Sequence, residues 1–208
     1  MHSPDQPPLR LEASGWLERQ PGVQHWVSPH TDARPAGELI TLLVLHCISL
    51  PRGQYGGGFI QDLFMGRLDC AAHPSFESLR DLKVSAHFLI DRGGMIHQFV
   101  PVGERAWHAG RSSFQGREAC NDFSIGIELE GVDDEDYLPI QEQQCLRLSL
   151  ALVEACPSLQ WMAAHSDIAP GRKTDPGPGW DWPRFQAELD QTLAKMPGSH
   201  SLKYFFHD

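Results

Sequence analysis

The feature that most constrains this chain is a polar segment, residues 165–177, that lies between two apolar stretches. It carries an imidazole at His165, carboxylates at Asp167 and Asp175, and an ammonium group at Lys173. It shows no apolar periodicity, so we do not expect a long helix or strand packed on a core. Such a segment is held as a loop at the rim of a core, with its side chains aimed by the backbone. It predicts a ligand or metal site, in which His165 and Asp175 are two potential zinc ligands and a third comes from elsewhere.

The chain is long and apolar enough to bury one substantial core. It has 208 residues, of which 41% are hydrophobic, and no clear break divides them into two cores. We therefore expect a single domain over residues 15–194. The two ends, residues 1–14 and 195–208, are poor in periodic apolar residues, and we expect them to be loosely held.

Charge and cysteine usage narrow the classes of function. A formal net charge of −10 argues against nucleic acid or an anionic membrane surface as a partner, and it is compatible with a small soluble substrate. The five cysteines are widely spaced and include no Cys-x-x-Cys pair, which fits reduced thiols in a cytosol. The N-terminal residues do not resemble a signal peptide, and no apolar run is long enough to cross a bilayer. We expect a cytoplasmic protein, and no obligate protein partner is evident.

Short apolar runs of β character alternate with longer helical patterns, which predicts an α/β domain. Residues 39–45 have the pattern of a buried strand that ends at His46. Residues 123–130 alternate in polarity, which places Glu128 beside small residues on a face that we expect to be open. The other predicted elements are a hairpin of residues 84–90 and 95–100, and helices over residues 59–64, 140–155 and 181–194.

A hydrolytic zinc ion usually has three protein ligands and one water molecule. His46 is the candidate for the third ligand, because it follows a buried strand, where side chains leave the core and enter a crevice. The water needs a base and the developing oxyanion needs a cation. Glu128 and Lys173 are the candidates for these two roles. Each residue alone is also compatible with an ordinary structural or solvated position, so the hypothesis depends on their occurring together.

Five blocks spread along the chain form a recognisable pattern. They are residues 44–51 (VLHCISLP), 84–87 (VSAH), 105–110 (RAWHAG), 120–131 (CNDFSIGIELEG) and 165–178 (HSDIAPGRKTDPGP). In this order they closely resemble the cytoplasmic 1,6-anhydro-N-acetylmuramyl-L-alanine amidases, the AmpD type of the zinc-dependent type-2 amidases. The resemblance covers residues 15–185, which is nearly the whole expected domain.

The resemblance implies a single α/β domain with a mixed central β-sheet flanked by α-helices, similar to peptidoglycan-recognition domains. It implies one zinc ion held by His46, His165 and Asp175, with Glu128 as general base and Lys173 stabilising the transition state. The implied reaction is hydrolysis of the amide between 1,6-anhydro-N-acetylmuramic acid and L-alanine in soluble muropeptides, as part of cell-wall recycling. The blocks that line the substrate groove in the family contribute Trp107, His108 and Asn121.

The chain departs from the family pattern at three positions. It carries Cys47 where asparagine is frequent, and Lys83 and Ala119 where arginine is frequent. The loss of two guanidinium groups removes bidentate carboxylate binding, so Lys83 is expected to pair with a stem-peptide carboxylate as a single point charge. The pattern does not explain the segment that ends in residues 204–208, for which a packed tail, a partner contact and disorder are all open.

Three other functions compete with this hypothesis. His165 and Asp167 match the His-x-Asp half of the facial triad of non-haem iron oxygenases, for which His200 or His207 would supply the distal ligand. A non-catalytic muropeptide-binding module would share the fold, but such modules typically lack a complete ligand set. An amidase acting on intact peptidoglycan would be exported, and the absence of a signal peptide and the acidic composition argue against it.

Overall fold

A seven-stranded β-sheet lies at the centre of the protein, whose computed structural model describes residues 6–197 and 201–205. In chain order the strands are β1 (Val23–His25), β2 (Thr31–Ala33), β3 (Leu42–Ile48), β4 (Phe88–Ile90), β5 (Ile96–Gln98), β6 (Glu104–Ala106), β7 (Ser113–Phe114), β8 (Arg117–Glu118), β9 (Ser124–Glu130), β10 (Trp161–Ala164) and β11 (Lys203–Phe205). The sheet has the order β1-β5-β4-β9-β3-β10-β11, and β2–β6 and β7–β8 form two small antiparallel ribbons. All sheet neighbours are parallel except β4 and β5, so the expectation of a mixed sheet is confirmed.

The three helices predicted from the sequence are present. The helices are α1 (Phe59–Phe64), α2 (Pro139–Ala155), the single turn α3 (His165–Ile168) and α4 (Trp182–Leu193). α2 begins with Pro139, which is tolerated there because an N–H in the first turn of a helix would have no intrahelical partner. The Asp181 side chain caps α4 by accepting a hydrogen bond from the Arg184 N–H. No helix within the described residues has the length and apolar character needed to cross a bilayer.

The two central strands, β3 and β9, pair in parallel over seven residues each. One face of the sheet is covered by α2 and α4, which contribute Leu148, Leu152 and Leu189 to the main core. The other face is covered by the segment before β9 and by α3, through Ala109 and Ile168 among others. Because both faces are covered, polar side chains on these strands lie inside the protein and need partners or a ligand.

Two expectations about the central strands are corrected by the structure. β3 begins at Leu42 and continues through His46 to Ile48, so His46 lies within the strand and not beyond its end. The face of β9 that carries Glu128 is not open, because all seven residues of that strand are buried. The polar alternation therefore marks a covered site and not a solvated surface.

The predicted hairpin is also present, with shorter strands. β4 and β5 pair antiparallel from Phe88↔Gln98 to Ile90↔Ile96. Gly94 has a φ of 82° in the connecting turn, where a side chain would be strained. A Cβ there would also lie 2.4 Å from Ile140, so the turn packs closely against the start of α2.

The described parts of both ends differ from the loosely held segments that we expected. Near the N-terminus, Leu9 is buried and Leu11 forms a bridge with Leu17. Near the C-terminus, Leu202 is buried and β11 adds a parallel edge strand beside β10. Of the alternatives left open for the tail, packing therefore applies to residues 201–205, while residues 1–5, 198–200 and 206–208 lie outside the described residues. The domain boundaries at residues 15 and 194 stay predictions.

Candidate metal centre

The register of the parallel strands brings the candidate residues together. His46 on β3 pairs with Glu128 on β9, and paired residues in a parallel ladder point to the same face. Ala164, the last residue of β10, pairs with Leu45, so His165 emerges beside His46. The Ser166 N–H donates to the Asp175 carbonyl, 3.0 Å away, which brings the polar loop back to the same point.

His46, His165 and Asp175, which we call the His-His-Asp trio, direct three atoms at one point. The Nδ1 atoms of His46 and His165 are 2.8 Å apart, and Asp175 Oδ2 lies 3.0 Å from His165 Nδ1 and 3.4 Å from His46 Nδ1. Ligand atoms in a tetrahedral zinc site with bonds of about 2.0–2.1 Å are separated by about 3.3 Å. Within the described part of the chain, this is the one group of three potential ligands that converge in this way.

The hydrogen bond that His165 forms outside the trio shows which of its two ring nitrogens carries the proton. His165 Nε2 lies 3.2 Å from the carbonyl oxygen of Ala109, which can only accept a hydrogen bond. Nε2 therefore carries the proton in the neutral ring, and Nδ1 presents a lone pair to the trio.

A longer chain of contacts leads to the same result for His46. Ser124 Oγ donates to the Cys120 carbonyl over 2.6 Å and so accepts from His108 Nε2, 3.1 Å away. Burial and the neighbouring histidines hold the pKa of His108 well below its ordinary value, so its ring is neutral and its Nδ1 accepts. That Nδ1 lies 2.8 Å from His46 Nε2, which must then carry the proton of His46. His46 Nδ1 is left with a lone pair that faces the trio.

The trio therefore consists of three acceptor atoms with no proton between them. Burial and the neighbouring His165 lower the pKa of His46 to about 4, so its ring is neutral near pH 7. Neutral imidazoles and an ionised carboxylate are the forms that bind a metal, and a cation removes the repulsion among three converging lone pairs. The donor set fits zinc.

Glu128 lies beside the trio as a carboxylate without a partner. It is buried, and its Oε2 has no hydrogen-bond partner among the described residues. Burial and the charge of Asp175 raise its pKa well above the ordinary value, while Lys173 opposes this shift. A buried carboxylate with a raised pKa beside a metal site is the arrangement expected of a general base.

Lys173 is exposed at the mouth of the same site. With Cys47 and Asp175 it lines a cleft of about 290 Å³. The Lys173 N–H donates to the Ala169 carbonyl over 3.1 Å, which holds its backbone next to α3. Burial raises the pKa of the Cys47 thiol to about 12, so the residue that replaces a frequent asparagine is a neutral thiol.

Two more of the predicted substrate-binding residues, Trp107 and Asn121, form defined hydrogen bonds. The Trp107 indole donates to Asp32 Oδ1 over 3.1 Å, and its ring is partly exposed. Asn121 Oδ1 accepts from the backbone N–H groups of His108 and Ala109, at 3.2 and 2.8 Å. Asn121 thus holds the segment that carries the outer partners of both histidines.

The fourth predicted substrate-binding residue, Lys83, is not brought to the trio. It lines a different cavity, of about 460 Å³, whose lining includes none of the three ligand residues. Ala119, the other position where arginine is frequent in the family, has a φ of 58° and lines a third cleft, of about 620 Å³.

Sequence reasoning did not identify the residues that support the trio. Arg34 donates to the backbone carbonyls of Asn121, Asp122 and Ser124 over 2.9–3.0 Å and so ties the segment before β9 to the rest of the fold. Ser124 and the Ala109 carbonyl orient the two histidines. The position of Ser124 on the same strand face as Glu128 was the one available signal.

The facial triad is not supported by the described residues. Asp167 Oδ2 accepts from the Ala164 N–H over 2.9 Å at the start of α3, and Asp175 supplies the carboxylate of the trio. Both candidates for the distal ligand, His200 and His207, lie outside the described residues.

Comparison with known proteins identifies the family of the chain. The model of the N-acetylmuramoyl-L-alanine amidase family matches residues 36–178. The chain is 54% identical to the 1,6-anhydro-N-acetylmuramyl-L-alanine amidase AmpD of Escherichia coli K12, over 85% of this chain and 95% of that protein. It is 53% identical to AmpD of Citrobacter freundii, over 89% and 95% of the two chains.

The fold is similar to that of solved relatives. The crystal structure of a selenomethionine derivative of AmpD matches with a TM-score of 0.81 and 52% identity, over 85% of this chain and 97% of that chain. The solution structure of Citrobacter freundii AmpD matches with a TM-score of 0.63 and 50% identity, over 90% and 100%. The chain belongs to the N-acetylmuramoyl-L-alanine amidase family, and its similarity is to the 1,6-anhydro-N-acetylmuramyl-L-alanine amidases within it.

Proposed function

We propose that the protein is a zinc amidase that hydrolyses the bond between 1,6-anhydro-N-acetylmuramic acid and L-alanine in soluble anhydromuropeptides. The observation that carries this proposal is the convergence of three unprotonated ligand atoms, from His46, His165 and Asp175, beside the unpartnered carboxylate of Glu128. An amidase needs a cation that polarises the scissile carbonyl and a base for the attacking water.

Substrates bound to relatives support the same ligand class. The structure of AmpDh3 from Pseudomonas aeruginosa, 30% identical to this chain, was solved with an anhydromuramic pentapeptide. AmiD from Escherichia coli, 27% identical over 88% of this chain, was solved with anhydro-N-acetylmuramic acid-L-Ala-D-γ-Glu-L-Lys. We infer that this chain binds a small muropeptide of the same kind.

Each side chain of the site has a distinct role in this reaction. Zinc held by the trio would supply the Lewis acid that polarises the carbonyl and acidifies water. Glu128 accepts a proton from the attacking water and later delivers it to the departing amino group of L-alanine, so the amide bond breaks as the new carboxylic acid forms. Lys173, at the mouth of the cleft, stabilises the negative charge that develops on the carbonyl oxygen.

The surrounding residues bind the substrate or position the ligands. Trp107 offers a partly exposed aromatic face to the sugar, and Lys83 offers a point charge to a stem-peptide carboxylate. His108 and Asn121, which we expected in the substrate groove, have contacts that suit positioning: His108 orients His46, and Asn121 holds the backbone of residues 108 and 109.

We place this reaction in the cytoplasm, as part of cell-wall recycling. All five cysteines are free thiols, including the partly exposed Cys47 and Cys70, and free thiols persist in a reducing compartment. The net charge of −10 disfavours lasting attachment to an anionic polymer such as the intact wall.

The test is a comparison of a defined anhydromuropeptide with intact sacculi at equal concentrations of zinc-loaded enzyme. We expect release of the peptide from the soluble substrate and much slower cleavage of sacculi. Equal or faster cleavage of sacculi would identify a wall-degrading amidase instead. Binding of the anhydromuropeptide without cleavage would identify a muropeptide-binding module.

A further inference from the structure

The 620 Å³ cleft lies between residues 110–119 and residues 168–172, next to the site already described. Arg172 lines both this cleft and the smaller one at Asp175 and Lys173. A ligand whose scissile bond lies at the trio can therefore extend past Arg172 into the larger cleft. For a muropeptide, the part with the length to do so is the stem peptide or the sugar.

Hydrogen bonds fix the position of the Arg111 backbone relative to the trio. Arg172 Nη2 donates to the Ala109 carbonyl over 2.8 Å and to the Arg111 carbonyl over 2.6 Å. The Ala109 carbonyl also accepts from His165 Nε2, 3.2 Å away. The Ala109 carbonyl, shared by His165 and Arg172, and the bond from Arg172 to the Arg111 carbonyl thus connect a ligand residue of the trio to Arg111. The position of Arg111 relative to the reaction centre is therefore defined by the fold.

The side chain of Arg111 is uncommitted, in contrast to its backbone. It is exposed and forms no hydrogen bond or ion pair with any residue in the described ranges. The other charged side chains of this cleft are Glu118 and Arg172, and the guanidinium of Arg172 is bonded to the two carbonyls. Ala119 adds only a methyl group to the wall.

The chemistry of the cleft favours an anion. Two guanidinium groups and one carboxylate make it locally positive on a chain whose formal net charge is −10. A planar guanidinium with free donors matches a carboxylate bidentately. The stem peptide carries carboxylates, whereas the sugar of the proposed substrate does not carry a free one once its lactyl group is amidated.

We propose that Arg111 binds a carboxylate of the stem peptide and thereby determines the preference of the enzyme for peptide-bearing substrates. This inference depends on the proposed function, because the peptide belongs to that substrate. Arg111 is then a specificity residue and not a catalytic one, since its contact lies beyond the scissile amide.

The experiment compares two probes with zinc-loaded full-length enzyme. One probe is anhydro-N-acetylmuramic acid-L-Ala-D-γ-Glu-L-Lys, and the other is the same compound with its free carboxylates amidated. Arg111→Ala should raise KM for the first probe by roughly fivefold to tenfold while kcat changes by less than about twofold, as expected for the loss of a partly exposed charge-assisted contact. With the amidated probe the change in KM should be less than about twofold.

Two further variants give the comparison its controls. Arg111→Lys, which keeps the charge but loses the planar fork, should give an intermediate KM. Arg10→Ala removes an exposed arginine that lines none of the three clefts described above and should leave both probes unaffected. An unchanged KM in Arg111→Ala, or an equal rise for both probes, would overturn the inference while leaving the amidase function in place. If the unaltered enzyme cleaves neither probe, the proposed function itself fails and the inference fails with it.

Discussion

The ring of His108 lies directly against the backbone of Gly126, so closely that a Cβ at position 126 would come within 2.5 Å of it. Gly126 lies on β9 between Ser124 and Glu128, on the strand face that points toward the metal site. The absence of a side chain there makes the room in which His108 bonds both Ser124 and His46. The glycine of the strand is therefore part of the support of a metal ligand.

The first prediction follows from this contact. Gly126→Ala should displace the His108 ring and weaken zinc binding by about 10- to 100-fold, the usual effect of losing an outer partner of a ligating histidine. Zinc affinity can be measured by competition with a chromophoric chelator. Gly103→Ala is the matched control, because no atom lies within 4 Å of a Cβ at that position. Unchanged affinity in Gly126→Ala would show that His108 does not support His46.

A second prediction concerns the trio itself. We expect about one zinc per chain, and removal of zinc with a chelator should abolish activity. Replacing His46, His165 or Asp175 with alanine should lower both zinc content, measured by elemental analysis, and turnover. His73→Ala, at the residue that caps the 3₁₀ helix Pro74–Leu79, should change neither, because His73 is not one of the three converging ligands. Full activity of a verified metal-free sample would contradict the assignment.

A third prediction separates catalysis from metal binding. Glu128→Gln and Lys173→Ala should keep zinc but lose roughly 10² to 10⁴ in kcat, the size typical of a lost base or oxyanion partner. Lys195→Ala, which removes an exposed lysine after α4, is the control for charge. Normal turnover in either site variant would assign that side chain to a structural or solvated role.

A fourth prediction uses the raised pKa of Glu128. Between the ordinary value of 4.5 and its raised pKa, the folded state keeps a proton that the unfolded state releases. The stability of the metal-free protein should therefore fall as pH rises through this range, because the buried carboxylate becomes charged. Glu128→Gln removes this loss. The metal-free variant should therefore unfold at a higher temperature than the metal-free wild type at pH 8, and this difference should be smaller at pH 4. An equal difference at both pH values would contradict the burial effect.

The residue types of the site were accessible from the sequence because they stand in short blocks with a characteristic order. His46 follows an apolar strand pattern, and His165 and Asp175 share one polar loop, so local spacing marks them as candidates. The helices around 59–64, 140–155 and 181–194 were accessible for the same reason, since a helix is specified by residues three and four apart.

What the sequence by itself determined was which side chains are available and which elements carry them. Only the tertiary structure decided that two Nδ1 atoms face each other at 2.8 Å, that His108 stands behind His46, and that Lys83 lines a separate cavity. It also decided that residues 203–205 complete the sheet. These contacts join residues far apart in the chain, and they depend on strand register and on side-chain packing against both faces of the sheet, neither of which a local pattern encodes.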